Sequence, residues 1–65
     1  MSQQEAESAL AEPHRREVFL ALVHAQDQEM PVPQSRLVIA ERFGLSEEAV
    51  RQIEREGLDN NWPPL

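Results

Sequence analysis

Gly44, one of two glycines in the chain, stands four residues after Ala40 and two before Ser46. Ile39, Phe43, Leu45, Val50 and Ile53 are the apolar residues around it. This arrangement constrains the fold more than any other feature of the sequence. Two helices meeting at a steep angle through a tight turn need a small residue where they cross and a residue free to take positive φ in the turn. They also need apolar wedges on both sides and a cap to open the second helix. Ala40, Gly44, the five apolar residues and Ser46 meet these needs in order. The spacing predicts a helix-turn-helix over residues 34–57. A helical hairpin with no nucleic-acid role satisfies the same spacing, because the spacing specifies geometry before it specifies function.

Upstream, Val18, Phe19, Leu22 and Val23 recur at helical spacing with Gln26 on the same side. Residues 14–28 therefore read as a helix, with Pro13 in its first turn, where the missing N–H costs nothing. Pro31 and Pro33 break it. Residues 30–33 are expected to be extended, since a residue before proline avoids the helical region. A second helix starts at Gln34 or Ser35, with Leu37, Val38, Ile39, Ala40 and Phe43 as its apolar set, and Gly44 ends it. Leu45 follows as a buried plug. Ser46 caps the third helix, Glu47 and Glu48 favour its positive end, Val50 and Ile53 face inward, and Gly57 terminates it. Asp59, Asn60 and Asn61 read as a turn. The expected fold class is all-α, a small three-helix domain containing a helix-turn-helix. Its helices lie near 13–28, 34–43 and 47–56, with no sheet. Residues 1–12 form a polar acidic leader, 13–58 the tri-helical domain, and 59–65 a Pro/Trp tail. Trp62 either folds back over the core or offers an exposed peptide to a partner groove.

Sixty-five residues fit one domain, and a core of that size supplies little net stability. With no cysteine, neither a disulfide nor a thiolate metal site can staple it, so close helix packing or dimerisation must hold it. His14 and His24 are too far apart for a helical metal pair, and Ser35 and Ser46 suit caps better than nucleophiles. We expect no enzyme activity, no metal and no cofactor. No apolar run approaches the ~20 residues of a membrane span, and the expected location is cytoplasmic. The net charge is −6. Half of that excess lies in the leader, in Glu5, Glu7 and Glu12, which no base offsets. The helix-turn-helix is close to neutral, so it lacks the basic footprint that drives non-specific DNA affinity. All six basic residues are arginines, suited to bidentate contact with carboxylate, phosphate or guanine edges.

If Val50 and Ile53 face inward, Arg51, Gln52 and Arg55 project outward. Arg to guanine and Gln to adenine are the common major-groove pairings. The alternative is a solvated face, with Glu47 paired to Arg51 at i, i+4. Arg36 and Arg42 on the second helix are candidates for phosphate contacts.

The run Glu41-Arg42-Phe43-Gly44-Leu45-Ser46-Glu47-Glu48-Ala49-Val50-Arg51-Gln52-Ile53-Glu54 resembles the C-terminal helix-turn-helix, region four, of bacterial housekeeping-type sigma factors. The family pattern there is E-R-F-G-V-T/S-R-E-R-V-R-Q-I-E. Upstream, Pro13-His14-Arg15-Arg16-Glu17-Val18-Phe19 is similar to its P-R-E-R-E-V-L. The resemblance implies a transcription regulator whose third helix reads DNA, with Ser46, Glu47, Glu48, Arg51, Gln52 and Arg55 at the interface. Double-stranded DNA is then the expected partner. RNA polymerase or another regulator is the alternative, and a homodimer is a further expectation. The chain departs from the pattern at Glu47 and Ala49, where the family has basic residues. No other part of a sigma factor is recognisable here, so promoter opening is not expected.

Overall fold

The computed structural model describes residues 10–65. It contains three helices and no strand among the described residues: α1 (Glu12–Asp27), α2 (Val32–Phe43) and α3 (Glu47–Asn60). The all-α class and the helix-turn-helix, formed by α2 and α3, are as expected. The expected acidic leader lies almost wholly outside the described residues.

All three helices end in the same way. At each end one residue takes the left-handed conformation, and the next N–H reaches back to the carbonyl five residues earlier. The left-handed residue after α1 is Glu29 (φ 67°), followed by Met30 N–H to the Ala25 carbonyl at 3.4 Å. After α2 it is Gly44 (φ 68°), followed by Leu45 N–H to Ala40 at 2.8 Å. After α3 it is Asn61 (φ 52°), followed by Trp62 N–H to Gly57 at 3.0 Å. This hydrogen bond satisfies a carbonyl that the helix leaves unpaired, and it turns the chain sharply. Of the three positions, Gly44 and Asn61 carry residue types that favour this conformation, and Glu29 does not. Ser46 opens α3 as expected, its side chain accepting from the Ala49 N–H at 3.1 Å.

Two boundaries differ from expectation. α2 begins at Val32, with Pro33 inside its first turn and the first i to i−4 bond running from Ser35 N–H to Pro31 at 2.9 Å. Proline is tolerated there because first-turn N–H groups have no intrahelical acceptor. Ser35 is therefore not a cap. It is fully buried, and its Oγ donates to the Val32 carbonyl at 2.7 Å. α3 runs through Gly57 to Asn60, so Gly57, Asp59 and Asn60 are helical. Gly57 is there because the ring of Phe19 lies against it. A Cβ at that position would fall inside the van der Waals envelope of the ring carbons.

The core is built from Val18, Phe19 and Leu22 of α1, Ile39 and Ala40 of α2, Val50 and Ile53 of α3, and Trp62. Trp62 folds back and meets Phe19 edge-on, with centroids 6.0 Å apart and planes at 81°. The Arg16 guanidinium lies 5.3 Å from the Trp62 ring on the solvent side. Leu10, Val23, Phe43 and Leu45 are partly buried around this cluster. Leu45 is thus a partial plug. Leu37 and Val38, expected in the apolar set, are 55% and 41% exposed. At 100° per residue a run of four apolar positions cannot all face one side. Ile39 and Ala40 take the core, leaving Leu37 and Val38 outside.

Gly44→Val is expected to destabilise the fold by more than about 1 kcal/mol, since left-handed backbone costs an L residue roughly 1–2 kcal/mol. Urea unfolding followed by circular dichroism measures it. Gly57→Ala is expected to cost about 1–3 kcal/mol through overpacking against Phe19, although alanine is the better helix former by about 1 kcal/mol. A stabilised Gly57→Ala protein in the same assay would show that Phe19 does not need the bare backbone.

Candidate nucleic-acid interface

The phase of α3 follows from its buried residues. Ala49, Val50, Ile53 and Gly57 face the core, so Glu47, Glu48, Arg51, Gln52 and Arg55 are exposed on the other side. Arg51, Gln52 and Arg55 form no hydrogen bond or ion pair among the described residues. The Glu47–Arg51 pair of the alternative, solvated-face reading is not formed among the described residues either. These side chains border an open cleft of about 380 Å³ between α2 and α3, shared with Arg36, Glu48, Glu54 and Asp59. Of the two departures from the sigma pattern, Ala49 is only 8% exposed. It belongs to the packing of α3, and only Glu47 alters the outward face. Ser46 sits at the turn with its side chain committed to the cap.

The second-helix arginines differ from one another. Arg36 donates from Nε and Nη2 to Oε1 of Glu54, at 3.0 and 2.8 Å, and the two side chains are 26% and 15% exposed. The other Glu54 oxygen accepts from Gln26 Nε2 at 3.2 Å, and the same nitrogen lies 3.2 Å from Ser35 Oγ. One polar node thus joins α1, α2 and α3. Arg42 is exposed, its guanidinium 5.4 Å from the Phe43 ring. A second clamp ties α1 to α3: Arg15 Nε and Nη2 donate to the two oxygens of Glu56 at 2.8 and 3.0 Å. Hydrogen bonding to Glu56 holds the Arg15 guanidinium above its already high pKa, against a smaller opposing effect of burial.

Sequence reasoning did not find this node. Its partners lie up to 28 residues apart, and Arg36 looks like any surface arginine. The available signal was Gln26, a polar residue on the apolar side of α1, which buried polar chemistry requires to be partnered. Among the described residues no group of three or more His, Cys, Asp or Glu could hold a metal ion, and no helix is long and apolar enough to cross a membrane. His14 packs edge-on against Phe43, at 6.0 Å between centroids.

Residues 28–60 match the family described as Sigma-70, region 4. No curated protein and no solved structure matches the chain. Region 4 is a DNA-binding helix-turn-helix domain. The matched segment contains the whole of α2 and α3 and leaves α1 outside, so the upstream similarity at residues 13–19 lies beyond it. Both helices of the motif and half of the sequence fall within the match, and the chain belongs to the sigma-70 region 4 family.

Proposed function

We propose that the protein is a small DNA-binding helix-turn-helix protein that regulates transcription. α3 enters the major groove, and Arg51, Gln52 and Arg55 read base edges. The observation that carries this reading is the set of three side-chain donors exposed on one face of α3, unengaged among the described residues, in a family that binds DNA. Ser46, Glu47 and Glu48 stand at the end of α3 nearest the duplex. Arg42 is the phosphate contact from α2. Arg36 serves first as a brace through Glu54, and touches phosphate only where that pair opens. Residues 13–58 form the body of the module, sealed by Trp62 from the tail, with 1–12 an acidic leader. In this role the protein does no catalysis and needs no cofactor. It acts in the cytoplasm, and because one nearly neutral module binds weakly, it acts as a dimer or in a larger assembly.

The carboxylates of Glu47 and Glu48 favour a second reading, in which the same face docks on a basic surface of RNA polymerase or another regulator. A carboxylate 4 Å from a phosphate is repelled by about 1 kcal/mol even in bulk water, whereas a basic protein surface would attract it.

Arg51→Ala and Gln52→Ala are expected to keep the fold and to lose discrimination at one base position each, by roughly 1–3 kcal/mol. Titration against a duplex selected by the wild-type protein measures this, and unchanged discrimination in both variants favours protein docking. Glu47→Arg separates the two readings from the other side. On DNA it should tighten binding to any duplex and steepen the salt dependence by about one counterion. It should also lose roughly 0.3–1 kcal/mol of stability with the helix-start acid. On a basic protein partner it should weaken binding. Duplex affinity at two salt concentrations decides, and if neither protein binds duplex at low salt the DNA reading fails.

A further inference from the structure

On the side of the molecule away from the reading helix, α1 and α2 enclose a second groove, of about 470 Å³. Leu20, Ala21 and Ala25 form one wall, Val38 and Phe43 the other, and Met30 closes the end. Leu20 is 39% exposed and Val38 more so, although both are large apolar side chains facing the same hollow. No residue of α3 lines it. Two full charges stand on its rim, Glu17 on the α1 side and Arg42 on the α2 side. Arg42 has no carboxylate partner among the described residues, and Glu17 has only His14, at 3.7 Å.

We propose that this groove is the contact between two copies of the chain, related by a two-fold axis. Two observations select a second copy as the occupant. First, the rim is self-complementary. A two-fold contact sets residue i of one copy against residue j of the other and the reverse, so the Glu17 of each copy meets the Arg42 of the other. Second, the chain carries a net charge of −6, yet the charges lining the groove cancel. Two like-charged molecules therefore meet here without like charges facing one another, and the groove offers neither a basic nor an acidic partner a matching surface. The size requires a contact that reaches the rim. A standard interface buries about 800 Å² per partner, nearly a fifth of the 4443 Å² accessible surface. The apolar hollow alone is too small for that, so the surrounding charges must take part. Leu20 of each copy enters the other's hollow beside Val38, and both α3 helices stay free. The contact deepens the reading above by naming the surface for its dimer, in which Arg42 meets Glu17 of the other copy in place of phosphate, but it does not depend on DNA binding.

The test is sedimentation equilibrium of the full chain at neutral pH, up to a concentration on the order of 1 mM. A reversible dimer is expected. Leu20→Asp and Val38→Asp should each weaken it at least about tenfold, placing a charge in the hollow, with helicity by circular dichroism unchanged because both sites are exposed. Glu17→Arg and Arg42→Glu alone should each weaken it by about tenfold, since a two-fold contact repeats each altered pair. The combined Glu17→Arg/Arg42→Glu protein should recover the wild-type affinity. A chain that stays monomeric overturns the proposal and leaves the groove to a different partner. A dimer indifferent to Leu20→Asp and Val38→Asp overturns it too, as does a double swap no tighter than the single swaps. None of these measurements contains DNA, so a failure here leaves the DNA reading untouched, and a failure of duplex binding leaves this one standing.

Discussion

The packing of the whole molecule turns on Phe19 lying against the bare backbone of Gly57. An aromatic ring on α1 can approach α3 this closely only where α3 has no side chain. That approach fixes how α1 crosses the helix-turn-helix, and with it the depth at which Val18 and Leu22 meet Val50 and Ile53. It also sets where α3 must end. Trp62 closes edge-on over Phe19, and its N–H returns to the Gly57 carbonyl. The residue that admits the ring thus also accepts the bond that turns the chain back over it.

Electrostatics adds orientation to this apolar arrangement. Arg15–Glu56 and Arg36–Glu54 are two partly shielded, doubly bonded pairs, and each spans a different helix boundary. Such pairs add little to stability, because desolvation offsets most of the attraction. Their effect is on register. With Glu54 held from α1 by Gln26 and from α2 by Arg36, α3 cannot rotate about its axis without breaking several bonds at once. The direction in which Arg51, Gln52 and Arg55 point is set by that restraint as much as by the burial of Val50 and Ile53.

The parts of this structure that were legible in sequence are those set by neighbours a few residues away. Gly44 and Ser46 announced the turn and the cap because positive φ and a side-chain acceptor are local requirements. Val50 and Ile53 fixed the outward phase of Arg51, Gln52 and Arg55 through helical periodicity alone. Gly57 was misread because a glycine that stops a helix and one that admits a ring are the same letter, and the ring is supplied from 38 positions away. The left-handed residue at Glu29 was hidden because glutamate does not announce positive φ, whereas Asn61 belongs to a type that does and stood in the expected turn. Leu37 and Val38 were assigned to the core because an unbroken apolar run carries no phase. Arg36 looked free because its partner on α3 lies eighteen residues on.

The place of Trp62 has a consequence for how the fold can be watched in solution. The chain carries a single tryptophan. That residue is 3% exposed, its indole edge-on to Phe19 of α1 and 5.3 Å from the Arg16 guanidinium. Its backbone N–H group returns to the Gly57 carbonyl of α3. Unfolding moves that indole from an enclosed site into water, so its intrinsic fluorescence reports the joint closure of α1, α3 and the tail without an added label.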